Sequence, residues 1–186
     1  MKKLFLLSAF FLAISCTHEN QKIKFDISID REKSDFENIG AIAVLAFDDR
    51  SQPNILGDKT FGDEKIQITS NENLAELLRQ KISENLHQKG FKKGLDKTVE
   101  IHLESLQYKA KRKFFIGTSA AESVIKIVVK NNKTGEKFTK NFALSINGKH
   151  FLAPLEEADA ATINAILRDT VLDILSDKSL MKSLSK

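Results

Sequence analysis

The hydrophobic patterning of this chain predicts an α/β fold of the α+β kind: a two-layer sandwich with a mixed, mostly antiparallel sheet and two long helices on one face. Three observations carry that expectation. Several segments alternate apolar and polar residues with a period of two, or run apolar on both phases, as strands do. Two longer segments repeat apolar residues at three- and four-residue spacing, as amphipathic helices do. The order of these segments is strands, helix, three strands, helix.

Ile23, Phe25, Ile27 and Ile29 alternate with Lys24, Asp26, Ser28 and Asp30, which predicts a strand with one wet face. Residues 39–47 are apolar on both phases, which predicts an inner strand covered on both sides. Residues 48–63, with Pro53, Gly57 and Gly62, read as a loop, and residues 66–69 as a short strand. Ser70 or Asn71 can cap the first helix, whose stripe is Leu74, Leu77, Leu78, Ile82 and Leu86, and Gly90 suits its end. Val99, Ile101 and Leu103 alternate before the phase slips to Leu106, Tyr108 and Ala110, which predicts a bulge near Ser105. Residues 123–130 and 138–146 read as strands joined by a turn that ends at Gly135, and Asn147-Gly148 is a further turn signal. Pro154 can open the last helix, with Glu156, Glu157 and Asp159 near its positive end and Ile163, Ile166, Leu167, Val171, Ile174 and Leu175 on its apolar face.

The N-terminus has a different character. Lys2 and Lys3 precede an apolar run over residues 4–14, about half the roughly 20 residues that a membrane-spanning helix needs. It reads as the core of an export signal. Ala13, Ile14, Ser15 and Cys16 then resemble a lipobox, in which the cysteine is diacylated and becomes the new N-terminus. The expected organisation is a leader over residues 1–15, a lipidated tether over 16–22 and one domain over 23–186. Each buried CH₂ of an acyl chain contributes about 0.8 kcal/mol, so two or three chains on Cys16 would hold permanently. Thr17 after the cysteine, where an Asp would favour inner-membrane retention, favours the outer membrane by resemblance to that sorting rule. From Cys16 to Ile23 the tether spans at most about 25 Å.

Composition narrows the chemistry. The only cysteine is Cys16, so the chain offers neither an intrachain disulfide nor a cysteine-rich zinc site. The formal charge is +4, of which Lys2 and Lys3 supply part, and no basic surface of the size nucleic acid requires is evident. With no Trp and one Tyr, the chain lacks the aromatic platforms common in glycan-handling proteins. No cofactor is expected.

Several features together resemble the YajG family of bacterial lipoproteins. They are the lipobox at Cys16, Asp48-Asp49-Arg50 after an apolar strand, Leu56-Gly57 shortly beyond, the helix over residues 74–91, the strands over 99–108 and 139–141, and above all residues 164–180. The resemblance implies an outer-membrane-type lipoprotein. It supplies a fold and a location and carries no catalytic residues.

Candidate sites follow from the same reading. Glu100, His102 and Glu104 share a strand face, but residues two apart are about 6.6 Å apart, so the two glutamates cannot share one ion, and no metal site is expected. Asp48, Asp49, Arg50, Leu56 and Gly57 form either a partner or ligand loop or an Asp48–Arg50 brace. Lys111, Arg112, Lys113 and Phe114 form either a membrane-surface contact or a solvated edge. Val124 and Val128 lie opposite the core phase of their strand and are expected on a second sheet face that a partner covers in part, either an unknown envelope protein or a second copy. The expected function is that of a non-catalytic binding or assembly protein, lipid-anchored at the periplasmic face of the outer membrane. A small-molecule or lipid-binding module is the alternative, and an enzyme ranks last.

Overall fold

The computed structural model describes residues 20–29, 40–113, 115–151 and 155–185, apart from the side chains of Lys113, His150 and Leu155. Cys16, the expected leader, Phe114 and Pro154 lie outside the described residues. The elements are β1 (Gln21–Lys22), β2 (Ala41–Asp48), β3 (Ile55–Phe61), β4 (Glu64–Thr69), α1 (Leu74–Gln88), β5 (Lys92–Lys93), β6 (Lys97–Lys113), β7 (Ile116–Asn131), β8 (Lys137–Phe151), α2 (Leu155–Ser176) and α3 (Lys178–Ser185).

All the described strands join one mixed sheet. Its spine is the antiparallel meander β6–β7–β8. The outer edge of β6 is shared end to end: β2 pairs with residues 97–103 and β3 with residues 108–112, both parallel. β4 pairs antiparallel with β3, β1 parallel with β4, and β5 parallel with β2. Four of the seven pairings are therefore parallel, which corrects the mostly antiparallel expectation. The reason is connectivity: the chain returns through α1 before laying down β6, so β2 and β3 both meet β6 running the same way.

The segment expected as a loop over residues 48–63 contains β3. Its strand character is obscured because an inward position is occupied by Lys59, which is buried with Leu56. Gly57, at φ +153, lets β3 close on β6: a Cβ there would lie 1.9 Å from the Tyr108 carbonyl oxygen. The bulge near Ser105 is present as a register shift between Leu103 and Ser105. Asn147-Gly148 makes no turn. β8 continues through it, paired with Ala120 and Ser119 of β7, because ladder hydrogen bonds outweigh the local preference.

Two helices cover one face, α1 over β2 and β6 and α2 over β7 and β8, and a third corrects the expected pair: α3 packs on α2 and β8. Ile101, Leu103, Ile125 and Ile127 meet Leu78, Ile82, Ile166, Leu167 and Val171 in the core, each such side chain contributing about 1.5–3 kcal/mol. α1 is capped by Asn73 rather than Ser70 or Asn71, its side chain accepting from the Glu76 amide at 3.0 Å, and it ends before Gly90 at φ 96. The break before α3 is set by Asp177, which caps that helix through the Leu180 amide at 2.8 Å. Lys97 reaches the other end of α3 and donates to the Ser183 and Leu184 carbonyls.

Residues 23–29 keep the predicted alternation, with Ile23, Phe25 and Ile27 buried and Lys24, Asp26 and Ser28 exposed. They are not a sheet strand. After Ile23 the segment leaves β4 and runs to the helices, its Phe25 amide bonding Glu72 and its Asp26 amide bonding Asn164.

Candidate functional site

The sheet face away from the helices is the surface on which most of the candidate residues assemble. Cross-strand register places Leu45, Glu100, Val128 and Thr139 in one row and Phe47, His102, Lys126 and Asn141 in the next. Leu45 is 44% exposed and Phe47 42% exposed, so β2 is not covered on both sides as its composition suggests. Val124 and Val128 lie on this open face and are half-buried by their neighbours.

Around Leu45, Phe47 and Val128 several charges are paired locally. Lys130 holds Glu100, whose carboxyl sits below its ordinary range chiefly because of that lysine's hydrogen bond. Lys126 meets Glu104 at 2.5 Å, which raises the lysine above its usual range. The His102 Nδ1 atom lies 2.9 Å from Asp49 Oδ2, and the imidazole stacks on Phe47 with centroids 5.0 Å apart. Glu100, His102 and Glu104 thus go mainly to different partners, and among the described residues no group of three His, Cys, Asp or Glu side chains is placed to hold a metal.

The candidate loop divides. Arg50 Nε and Nη2 lie 2.8 and 2.6 Å from the two oxygens of Asp48, while Nη2 and Nη1 donate to the Pro53 and Ile55 carbonyls. This is the brace reading in geometric form. Leu56 belongs to the core and Gly57 to the close approach of β3 and β6. Arg50, Leu56 and Gly57 also border a shallow hollow of about 300 Å³ beside the Ser105 bulge. Lys111 and Arg112 lie at the distal end of β6, where Arg112 sits 5.8 Å over the Phe61 ring.

Pattern analysis does not reveal a polar cluster buried between the sheet and α2. Asp159 Oδ2 lies 3.0 Å from Lys59 Nζ, and its other oxygen accepts from the Tyr108 hydroxyl. Lys59 also donates to Gln21, and all four residues are buried. Burial first, then the bond to Asp159, pushes the Tyr108 phenol far above its ordinary value. Asp159 therefore does more than face the helix N-terminus. The one available sequence signal is phase: Tyr108 falls on the inward side of β6 past the bulge, where a hydroxyl requires a partner. Farther along α2, Ser123 and Thr170 hydroxyls meet at 2.6 Å.

A hollow of about 490 Å³ lies between α1 and α2, lined by Asn85 of one helix and Lys89 just past its end, Leu172 and Leu175 from the other, and Ile29.

Comparison with known proteins places this arrangement. The family described as uncharacterized lipoprotein matches residues 20–185. The chain belongs to that family, the YajG lipoproteins. The uncharacterized lipoprotein YajG of Escherichia coli K12 is 23% identical over 184 residues, covering 96% of this chain and 94% of its own, and the protein of strain O6:H1 matches equally. Among solved structures, a protein from Xanthomonas campestris superposes with a TM-score of 0.56 at 8% identity, covering 84% of this chain and 92% of the other. An uncharacterized protein gives 0.52 at 9%, covering 84% and 97%. Those likenesses concern the fold alone. As a YajG-family member the chain is an envelope lipoprotein, and no described helix is long and apolar enough to cross a membrane.

Proposed function

We propose that this lipoprotein is a non-catalytic binding or assembly protein, anchored by lipid on Cys16 at the periplasmic face of the outer membrane, and that its open sheet face receives another envelope protein. The observation that carries the binding role is the uncovered face itself. Leu45 and Phe47 stand in solvent beside half-buried Val124 and Val128, and Asp49, Glu100, His102, Glu104, Lys126 and Lys130 around them are already paired within the chain. The part of the face around Leu45, Phe47 and Val128 can be covered without burying those charges unpaired. The chemically capable buried residues, Lys59, Tyr108 and Asp159, are bonded to one another, which supports a structural role for them.

Crosslinking in intact envelopes, with a photoreactive residue at position 128, tests this reading. The expected product is an adduct with a different envelope protein, lost in Leu45→Asp with the fold retained. An adduct only between copies of this chain would make the partner a second copy. The absence of any adduct would overturn the use of this face. Cys16→Ser should abolish acyl labelling, and labelling that persisted would refute the anchor.

The hollow between α1 and α2 favours a second reading, a small-molecule or lipid-binding module. Displacement of a fluorescent fatty acid that is lost in Leu172→Arg would support it, and no saturable binding would remove it.

A further inference from the structure

Large apolar side chains cluster at one end of the sheet. Phe61 is 45% exposed, Phe115 68%, Ile116 49% and Phe151 72%. Register brings them together: Phe61 is opposite Arg112, Lys113 opposite Ile116, and Ile116 opposite Phe151, with Phe115 in the turn between β6 and β7. Behind this rim, on the open face, Lys109, Lys111 and Lys149 line a hollow of about 570 Å³ floored by Thr118 and Ala120. Lys111, Thr118 and Lys149 form a single cross-strand row, one two-residue step of about 7 Å from Ile116 and Phe151. No ion pair among the described residues involves those three exposed lysines. An aromatic rim with cations one step behind matches the depth profile of an anionic lipid surface, where rings enter the interface and ammonium groups meet phosphates.

The direction of the chain identifies which lipid surface. β1 runs parallel to β4 with Gln21 opposite Ile68, so the chain reaches Gln21 from the side of Glu64, and Glu64 is opposite Phe61. Through β4, β3 and β6 that row continues to Tyr108. The apolar end lies four residues away along β6, about 13 Å, whereas Lys97 at the opposite end lies about 37 Å away. Cys16 precedes Gln21 by five residues, a reach of at most about 18 Å. Measured along the strands, a tether of that length is long enough for the aromatic end and falls well short of the other.

We propose that this end of the sheet rests on the membrane that holds the anchor, with Phe61, Phe115, Ile116 and Phe151 in the lipid interface and Lys109, Lys111 and Lys149 on anionic headgroups. The orientation rests on lipidation of Cys16, whereas the affinity of the end for lipid does not. This docking leaves much of the open face, including Leu45 and Val128, free for the proposed protein partner.

Two measurements on the full mature chain test the proposal. In the first, the acylated chain, whose Cys16 sulfur the lipid already occupies, carries a fluorophore at Phe115→Cys, Phe151→Cys or Leu95→Cys in vesicles of phosphatidylethanolamine and phosphatidylglycerol with a lipid-borne quencher. Leu95 lies beside Lys97 at the far end and is highly exposed. Quenching several-fold stronger at 115 and 151 than at 95 is expected, and equal or inverted quenching would overturn the orientation. In the second, the Cys16→Ser chain is sedimented with phosphatidylglycerol or phosphatidylcholine vesicles. Preference for phosphatidylglycerol should fall roughly 100-fold when all three lysines become Ala, from about fivefold per near-surface charge. A preference that survives their removal, or no binding to either vesicle, would overturn the lipid contact. Mass spectrometry of the isolated chain separates the two claims: a chain without acyl groups whose Cys16→Ser form still binds phosphatidylglycerol loses the anchor and keeps the lipid-binding end, and an acylated chain without quenching at 115 does the reverse.

Discussion

Breaking the buried pair of Lys59 and Asp159 should destabilise the fold far more than breaking any surface ion pair. Lys59 is 5% exposed and Asp159 3%, their atoms lie 3.0 Å apart, and Tyr108 donates to the free oxygen of the carboxylate. Lys59→Met leaves Asp159 charged in the interior with only the phenol as donor. Removing one member of such a pair costs about 3–5 kcal/mol, because the remaining charge keeps its desolvation penalty and loses its compensation. For a domain of this size each kcal/mol lowers Tm by about 2–4 °C, so Tm should fall by roughly 6–20 °C. Lys59→Met with Asp159→Leu removes both charges. It still leaves the side-chain carbonyl of Gln21 without its lysine donor and the Tyr108 hydroxyl without its acceptor, with only Ser119 beside it, at up to about 1–3 kcal/mol for each buried unsatisfied group. The double variant should therefore be more stable than the sum of the single variants implies, by on the order of 2 kcal/mol. Adding Tyr108→Phe should recover part of the remainder. Urea unfolding followed by circular dichroism, on residues 16–186 with Cys16→Ser, measures all of these. Single-variant losses below about 1 kcal/mol, the range of exposed pairs, would refute the buried-pair account, and so would strict additivity.

Other outcomes follow from the same geometry. Gly57→Ala should cost more than about 2 kcal/mol in the same unfolding assay, since its Cβ would overlap the Tyr108 carbonyl at a positive φ, whereas Gly135→Ala, with open space around its Cβ, should cost less. Against the upward pull of burial, hydrogen bonds from Lys140, Ser179 and the Leu180 amide bring the Asp177 carboxyl from 3.8 down to about 2. A depressed folded value stabilises above the unfolded value, so about 1–2 kcal/mol present at neutral pH should disappear as pH falls from about 4 to 2, and Asp177→Asn should flatten that part of the stability profile. His102→Ala and Glu104→Ala should leave folding and metal content unchanged, as elemental analysis of the purified chain can check; loss of a stoichiometric metal would contradict the reading of the open face.

Much of this architecture was legible because apolar phase is a local property. The stripe of α1, the bulge in β6 and the burial of every second residue in 23–27 all follow from where side chains must point once a segment is helical or extended. The segment 23–29 shows the limit of that argument: alternation establishes that one side is buried, and says nothing of whether the burying partner is a strand or a pair of helices. Asn147-Gly148 shows another limit, since a turn preference weaker than a continuing ladder is overruled by the strand alongside it.

The two long helices could be read along the chain, and the expectations of a leader and of lipid on Cys16 arise there too, each from residues within a few positions of one another. The direction of β2 and β3 against β6 depends on how the chain returns through α1, which no short-range pattern encodes. Lys59 and Asp159 lie 100 positions apart in the sequence, and Tyr108 and Asp159 lie 51 apart, so nothing near any of the three distinguishes it from a solvated surface group. The aromatic end is likewise assembled from three separate parts of the chain, β3, the β6–β7 turn and the close of β8. A charge can remain buried only where folding delivers its counterion, and a surface acquires its character only once folding sets distant residues side by side.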